Sequence, residues 1–357
     1  MKVCIIGSGL SALTLAKGLV NQNIYVDIFS QKKNEKINKS RTIGISKSNF
    51  NYFNRDIINI EKYVWKIKKI EIYSENLKNE KILNFENNND QLFSIIKNHK
   101  IIDLLNKSLK NKYCKKLKFE QKLVKFNKYD LIIVTDYFHF FTKKFFNKKI
   151  LKEYNSLAYT TIIHHKKISN NTAVQIFTKF GPLAFLPISD TKTSIVFSVK
   201  NLKNNSKQNI DKLILKYNSK YKIERVENLA SFDLKSITLR SYYHDNILAF
   251  GDLLHRIHPL AGQGFNMTIR DVSVLLEIVK DKINLGLPLD SSLNEQFEKK
   301  TKHKNYIFSN SIDMIHEFFN LERKLNNSVL SKSIKFLGKN SRLNTMFTKF
   351  ADKGINF

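Results

Sequence analysis

Cysteine, proline and tryptophan are scarce in this chain of 357 residues, which has two cysteines, four prolines and one tryptophan. Cys4 and Cys114 cannot form a disulfide framework or a metal cluster by themselves, and such sparing use of cysteine fits a reducing compartment. Long apolar runs are missing as well. No segment approaches the roughly 18 consecutive apolar residues that a bilayer span requires, so the sequence predicts no transmembrane helix.

We expect no leader segment at the first residues of the chain. Met1 runs directly into an apolar stretch and then into the turn Gly7-Ser8-Gly9, whereas a signal peptide occupies roughly 15–30 residues of its own. The sequence therefore predicts a cytoplasmic protein, with peripheral attachment to the inner membrane as an option.

Acidic residues are also scarce: 31 Asp and Glu stand against 61 Lys and Arg, a formal net charge of +30. The lysines are scattered along the chain and accompany many Asn and Ile, as in proteins of AT-rich genomes. Besides this genome bias, an anionic membrane surface and nucleic acid would explain the charge. No standard nucleic-acid module is visible, so we rank genome bias first and membrane second, and predict no nucleic-acid partner.

Apolar periodicity divides the chain into an α/β part and a β-rich part. Residues 2–6 and 24–29 read as buried strands on either side of a helix over 10–20, a βαβ beginning. Short β-rich segments follow one another from residue 157, before a further buried strand (247–250) and a helix (264–279). The predicted fold class is α/β, with a Rossmann-like domain (1–150 and 240–290), an inserted antiparallel β-sheet domain (151–239) and a C-terminal helical region (291–357).

The first glycine turn follows a strand and opens a helix, which is the context that the dinucleotide-binding fingerprint requires. Gly7 would make the tight turn, Gly9 would let the backbone approach a pyrophosphate, and Ala12 would allow close packing of helix on sheet. The helix N-terminus offers unpaired amides to phosphates. An acidic residue usually ends the second strand and binds the ribose. Here Ser30 stands at that position, and its hydroxyl can hydrogen-bond without the help of a charge.

A second glycine-rich stretch, residues 249–266, is the most informative part of the sequence. A strand ends at Gly251 and Asp252, a loop follows, and a helix begins near Gly264. This stretch resembles the flavin-dependent aromatic hydroxylases, the class of para-hydroxybenzoate hydroxylase, and within them the ubiquinone-biosynthesis monooxygenases.

The resemblance implies a set of FAD contacts in this stretch. Asp252, beside Gly251, would bind the ribityl chain, and the loop from Pro259 through Gly262 to Gly264 would lie against the flavin ring. Amides at the helix start would stabilise negative charge on the reduced flavin. Asn266 falls at a position where the family has a further flavin contact.

Other segments extend the resemblance over nearly the whole chain. Residues 41–46 are similar to the arginine-bearing segment of the family, which implies a cofactor contact for Arg41. Residues 180–187 are similar to the substrate-domain signature of the ubiquinone subgroup. Asp136 matches the aspartate of an Asp-Gly motif that links FAD and NAD(P)H binding, but Tyr137 replaces its glycine. That departure concerns reduction by a nicotinamide more than FAD binding.

The resemblance also implies an activity: an FAD-dependent monooxygenase that uses NAD(P)H and dioxygen to hydroxylate the ring of a polyprenylated phenol in ubiquinone biosynthesis. Two alternatives stay open. One is a non-catalytic FAD-binding accessory subunit of a ubiquinone-biosynthesis complex, and the other is a related flavoprotein hydroxylase with another aromatic substrate. The catalytic base is not identifiable from the sequence. Other proteins of ubiquinone biosynthesis are further expected partners.

Two remaining patterns have competing explanations. His255 and His258 lie three residues apart without a third ligand nearby, so no metal site is predicted. Residues 326–350 mix apolar and basic side chains. They would form either helices packed on the core or an amphipathic surface for an anionic membrane. Packing is the simpler explanation, whereas a bilayer-resident substrate favours the membrane.

Overall fold

A computed structural model describes residues 1–30, 39–77, 80–87, 90–118, 126–200, 207–259, 262–325, 332, 336 and 341–355. These residues form three β-sheets, with helices packed on them. The sequence predicts a polar loop over residues 31–40, of which residues 31–38 lie outside the described part.

The first sheet has six strands, and all its neighbours are parallel except one terminal pair. Its four inner strands are apolar and mostly buried on both faces, which is typical of a parallel sheet covered by helices, whereas the two outer strands are largely exposed. The order across the sheet is β16-β17-β9-β1-β2-β8. The strands are β1 (Lys2–Ile6), β2 (Tyr25–Ser30), β8 (Cys114–Lys118), β9 (Leu131–Val134), β16 (Tyr243–His244) and β17 (Ile247–Ala249).

The second sheet has nine strands and forms the β-rich part of the molecule. Eight follow the order β18-β15-β10-β13-β12-β11-β5-β6, and β14 pairs with β10. The strands are β5 (Lys69–Ser74), β6 (Glu80–Glu86), β10 (Lys149–His165), β11 (Thr172–Thr178), β12 (Gly181–Ser189), β13 (Lys192–Lys200), β14 (Ile223–Val226), β15 (Ala230–Leu239) and β18 (His255–Arg256).

This second sheet is not confined to residues 151–239, where the sequence placed the β-rich domain. β5 pairs in parallel with β11, and β6 pairs with β5, so residues 69–86 of the first 150 belong to it. The apolar pattern predicts that 67–73 form a strand, but not which sheet the strand joins. The sequence also predicts a hairpin loop over residues 190–193. The hairpin is confirmed, with Asp190 and Thr191 connecting β12 to β13, which already begins at Lys192.

A third sheet has three strands, in the order β3-β7-β4. Its strands are β3 (Thr42–Ser46), β4 (Trp65–Ile67) and β7 (Phe93–Lys97). The described helices are α1 (Leu10–Asn21), α2 (Lys47–Tyr52), α3 (Asn98–Ser108), α4 (Phe140–Phe145), α5 (Lys207–Tyr217), α6 (Gln263–Asn284), α7 (Ser291–Leu325) and α8 (Ser341–Lys353). None of the helices within the described ranges is long and apolar enough to cross a bilayer.

Candidate cofactor site

Four parallel strands end at the same edge of the first sheet. Ile6 of β1 pairs with Phe29 of β2 and with Val134 of β9, and Ala249 of β17 also pairs with Val134. The residues that follow these ends therefore line one edge. They include the predicted site residues Gly7, Ser30, Asp136 and Gly251, which the fold brings together.

The two glycines of the first turn differ in their surroundings. Gly7 has a backbone conformation that favours glycine, whereas Gly9 has open space beside it. Gly7 has φ +121°, and a Cβ there would lie 2.1 Å from Oγ1 of Thr135. Gly9 caps the N-terminus of α1, and a Cβ built on it meets nothing within 4 Å. Ala12 is fully buried against the core. The turn is therefore tight, and the space beside Gly9 at the start of α1 is open, where a helix N-terminus would favour a pyrophosphate.

The second glycine turn packs directly on α1. Gly251 has φ +68°, and a Cβ there would lie 2.5 Å from the side chain of Ser11. The next residue, Asp252, is exposed and forms no hydrogen bond or ion pair within the described ranges. A carboxylate without a protein partner beside the N-terminus of α1 is thus available to a hydroxyl-bearing ligand.

Sequence reasoning missed Ser11 and Thr135. These small side chains are what the two glycine turns pack against, and nothing local in the sequence marks them.

Asp136 and Tyr137 are engaged within the protein. One carboxylate oxygen of Asp136 accepts a hydrogen bond from the Phe138 N–H at 2.9 Å, and its carbonyl accepts one from the Thr142 hydroxyl at 2.7 Å. The exposed Tyr137 accepts a hydrogen bond from the Lys149 ammonium at 2.5 Å. Asp136 therefore stabilises the turn that leads into α4. Tyr137 occupies the position where the family has a glycine.

The N-terminus of α6 approaches β3 closely. Gly262 caps α6 with φ +64°, and a Cβ on it would lie 3.8 Å from the Cα of Gly44. The Gly262 N–H donates to the carbonyl of Pro259 at 3.3 Å. At Gly264 an added Cβ would meet nothing within 4 Å. The predicted flavin loop thus ends in a left-handed glycine beside β3, with open space at the first turn of α6.

Asn266 holds this arrangement together. Its side chain is fully buried. The amide oxygen accepts hydrogen bonds from the Ser46 N–H at 2.9 Å and from Asn49 at 3.0 Å, and the amide nitrogen donates to the carbonyls of Gly44 and Gly262, both at 3.1 Å. All four hydrogen-bonding positions are used, so a flavin contact by this side chain would have to displace one of them. Asn266 positions the loop.

Arg41 lies apart from these contacts. It is exposed just before β3, and its carbonyl accepts a hydrogen bond from the Asn98 N–H at 2.9 Å. The cofactor role of Arg41 stays a prediction.

The two loop histidines have separate environments. His255 pairs through Nε2 with the Asp271 carboxylate at 2.5 Å, and Asn305 donates to the other oxygen of Asp271 at 2.9 Å. His258 packs against the rings of Tyr154 and His316 instead. Across the described ranges, no three His, Cys, Asp or Glu side chains come together as a metal site would require.

Comparison with known proteins gives a matching family and similar structures. Residues 183–284 match the family described as FAD binding domain. A p-nitrophenol 4-monooxygenase from Pseudomonas putida has a similar structure, with a TM-score of 0.78 at 11% identity over 99% of this chain and 98% of that one. Klebsiella pneumoniae HpxO, solved with FAD and uric acid, gives a TM-score of 0.72 at 12% identity over 99% and 97% of the two chains. The predicted fold class is confirmed.

Two curated relatives are named as enzymes of ubiquinone biosynthesis. The chain is 29% identical to the 3-demethoxyubiquinol 3-hydroxylase of Escherichia coli over 153 residues, 41% of this chain and 39% of that protein. It is 27% identical to the mitochondrial ubiquinone biosynthesis monooxygenase COQ6 of Schizosaccharomyces pombe over 127 residues, 35% and 26% of the two chains. The match thus spans less than half the length of either relative. The resemblance to flavin-dependent aromatic hydroxylases is confirmed.

Proposed function

We propose that this chain, which has the fold of the flavin-dependent hydroxylases and a matching FAD binding domain, hydroxylates the aromatic ring of a prenylated phenol in ubiquinone biosynthesis. The observation that carries the proposal is the meeting of two glycine turns at one sheet edge, with the unpaired Asp252 beside the open space at Gly9. The similarity to two ubiquinone-biosynthesis enzymes supplies the substrate class.

The residues at this edge fit FAD part by part. The amides after Gly9 suit the pyrophosphate, because a helix N-terminus favours negative charge. Ser30 at the end of β2 offers a hydroxyl to the ribose, and Asp252 suits the hydroxyls of the ribityl chain. Around Gly264 the first amides of α6 lie beside open space, where they would stabilise negative charge on a flavin.

FAD supplies electron transfer and oxygen activation, which side chains cannot perform. NAD(P)H is the proposed electron donor and dioxygen the second substrate. The protein has to hold the phenol ring against the flavin and exclude water. The second sheet and α7 are the elements placed to do so, because β10 and α7 both contact the loop that precedes Gly262.

An accessory FAD-binding subunit is the second candidate, favoured by one observation. Tyr137 replaces the family's glycine and is held over the turn by Lys149, with the ammonium 4.3 Å from the ring centre. A nicotinamide approaching along that turn would meet this pair. The enzyme and the accessory subunit would bind FAD alike and differ only in turnover.

One experiment separates these functions. Purified protein is examined for a flavin absorption spectrum, and NADPH oxidation is then followed with and without a prenylated phenol. Bound flavin with phenol-stimulated oxidation and a hydroxylated product supports the hydroxylase. Bound flavin without oxidation of either NADPH or NADH supports the accessory subunit. Protein that binds no FAD contradicts both the hydroxylase and the accessory subunit.

We also propose a location on the cytoplasmic side of the inner membrane, in contact with anionic lipid and with other ubiquinone-biosynthesis proteins. Two exposed apolar side chains on α8, Met346 and Phe347, support the lipid contact. The net charge of +30 favours the same surface.

A further inference from the structure

His258 is a buried side chain that the flavin loop leaves without a hydrogen-bond partner. Only 1% of its surface is exposed, and neither Nδ1 nor Nε2 is hydrogen-bonded to any residue of the described ranges. Buried polar groups in proteins almost always have a partner, because an unpaired one is costly to remove from water. An imidazole with two unpaired nitrogens in the interior therefore indicates a site that a polar ligand completes.

The groups around His258 are bonded to one another. The ring of Tyr154, on β10, meets it edge-on at 5.0 Å between centres, and the ring of His316, on α7, lies at 4.3 Å. The Tyr154 hydroxyl donates to Asp313, and Nδ1 of His316 lies 3.1 Å from the amide nitrogen of Asn320. His258 is thus enclosed by polar side chains that are already paired elsewhere.

His258 also lies where three functional parts of the molecule meet. It directly precedes Pro259 of the flavin loop, it contacts Tyr154 of the second sheet, and it contacts His316 of α7. His316 in turn lines a small cavity between the second sheet and α7, together with Ser74, Phe177, Thr178, Gly181, Pro182, Phe319 and Asn320. The contacts of His258 therefore join the flavin loop to the two elements that would hold the substrate.

We propose that His258 hydrogen-bonds the phenolic oxygen of the aromatic substrate; this inference rests on the proposed hydroxylase function. A neutral imidazole has one N–H donor and one acceptor nitrogen, so it can accept the phenol O–H. Burial, with His316 beside it, lowers the pKa of His258 well below its ordinary value, and the ring is therefore neutral at physiological pH.

Such a hydrogen bond would assist oxygen transfer. Drawing the hydroxyl proton toward the imidazole nitrogen raises the electron density of the phenol ring, which is the partner attacked by an electrophilic oxygen. The proton stays on the phenol oxygen, because burial disfavours the imidazolium and holds the His258 ring neutral. Tyr154 and His316 face that neutral ring directly. Asp313, Glu317 and Lys152 are one contact further out.

Binding of 4-nitrophenol to the FAD-loaded protein tests the inference, because the phenol and phenolate forms of this probe differ in colour. The variants are His258→Leu, which keeps bulk without polar atoms, and His258→Gln, which keeps a donor and an acceptor. Arg256→Leu is the matched control, at an exposed position on β18 two residues before His258. FAD affinity and thermal unfolding are measured for each variant.

We expect His258→Leu to weaken probe binding at least about tenfold, the value of one hydrogen bond between a protein and a ligand. FAD affinity should stay within about twofold of the wild-type value, and the His258→Gln variant should retain part of the probe affinity that His258→Leu loses. Displacement by a prenylated phenol should follow the same order. Should the Leu variant not fold, ring-nitrogen NMR of the wild type replaces it. Addition of phenol should then shift one histidine signal that is missing from the Gln variant.

The outcomes separate this inference from the function on which it rests. If the His258→Leu variant binds 4-nitrophenol as tightly as the wild type, the role of His258 is contradicted while the hydroxylase proposal stands. The same holds if Arg256→Leu loses as much affinity for the probe as His258→Leu does. A phenol that leaves the His258 signal unshifted contradicts it equally. Wild-type protein that takes up FAD but binds no phenol contradicts the hydroxylase proposal and this inference together.

Discussion

Single glycines serve two different purposes in the candidate site. At Gly7 and Gly251 the positive φ and the close neighbours, Thr135 and Ser11, require glycine for the fold itself. At Gly9 neither reason applies, because φ is −74° and an added Cβ meets nothing within 4 Å. A ligand that needs the space is the remaining reason for glycine at this position.

Substitution of Gly9 is therefore expected to separate ligand binding from folding. Gly9→Val should lower FAD affinity by tenfold or more while the thermal unfolding temperature changes little, and Gly9→Ala should give a smaller effect in the same direction. Gly7→Ala is the contrasting variant and should destabilise the protein, since its Cβ meets Thr135. Equilibrium dialysis with FAD and thermal unfolding provide the two measurements. A Gly9→Val protein that keeps full flavin occupancy would show that the pyrophosphate lies elsewhere.

Asp252→Ala tests the other side of the same site. A charge-assisted hydrogen bond contributes roughly 1.5–3 kcal/mol, so its loss should weaken FAD binding by about tenfold to 150-fold. Asp252 has no partner within the described chain, so the apo-protein should unfold at nearly its original temperature. Glu153→Ala, at an exposed carboxylate on β10, is a suitable control. Equal FAD affinity in both variants would contradict the assignment.

Tyr137 is the residue expected to limit reduction of the flavin. Replacing it with glycine removes the contact with Lys149 and opens the turn after β9. We expect Tyr137→Gly to raise the rate of flavin reduction by NADPH without changing FAD affinity, as followed by anaerobic stopped-flow absorbance. Lys149→Ala should have a smaller effect in the same direction. A wild-type protein that already oxidises NADPH rapidly, or a glycine variant that is no faster, would remove the reason for an accessory role.

At the scale of elements, the C-terminal helix α8 is tied to the cofactor loop. The Asp352 carboxylate accepts hydrogen bonds from the Ser48 N–H at 2.7 Å and from its hydroxyl at 2.5 Å, and the Asp352 carbonyl accepts one from Ser46 at 2.9 Å. Gln263, the first residue of α6, donates to the carbonyl of Ala351 at 3.1 Å. Because Ser46 also binds Asn266, α8 reaches the Gly262 turn through one shared residue.

Asp352→Ala should consequently loosen both the fold and the cofactor. Loss of two hydrogen bonds from a half-buried carboxylate is expected to lower the free energy of unfolding by about 1–3 kcal/mol and to speed FAD dissociation. Lys353→Ala, at the exposed neighbouring position, should change neither quantity. Chemical denaturation and the rate of flavin fluorescence recovery measure the two effects. If Asp352→Ala lowers the free energy of unfolding but leaves the rate of FAD dissociation unchanged, α8 stabilises the fold without affecting the cofactor.

Local sequence patterns predicted where helices, strands and turns form better than they predicted which elements contact each other. The βαβ beginning, the glycine turns and the strand ending at Ala249 follow from short apolar runs and turn residues, and the structure places them as expected. Contacts such as Asp352 with Ser48 join residues 304 positions apart, and no local pattern encodes them. The same holds for the pairing of β5 with β11 and for the cluster around His258, which only the assembled fold reveals.

At the scale of the whole molecule, the C-terminal helix α8 packs on the core on one side and exposes apolar and basic side chains on the other. Phe350 stacks on Phe308 of α7, with ring centres 4.9 Å apart, so one side of α8 packs on the core. Met346 and Phe347 are 57% and 45% exposed, with Arg342 and Lys349 also at the surface. Val329, Leu330, Ile334 and Leu337, which the amphipathic pattern also includes, lie outside the described residues.

The exposed side of α8 is expected to bind anionic membranes reversibly. Each Lys or Arg close to such a surface contributes roughly 1 kcal/mol, and two buried apolar side chains add to this, so attachment should be measurable at low salt and weak at high salt. Co-sedimentation with phosphatidylserine-containing and neutral vesicles measures it. The double variant Met346→Ser, Phe347→Ser should bind less, whereas Leu285→Ser, at an exposed leucine that follows α6, should bind like the wild type. Equal and negligible binding to both kinds of vesicle at low salt would leave α8 as a packing element alone, and the charge of +30 would then reflect composition rather than a lipid partner.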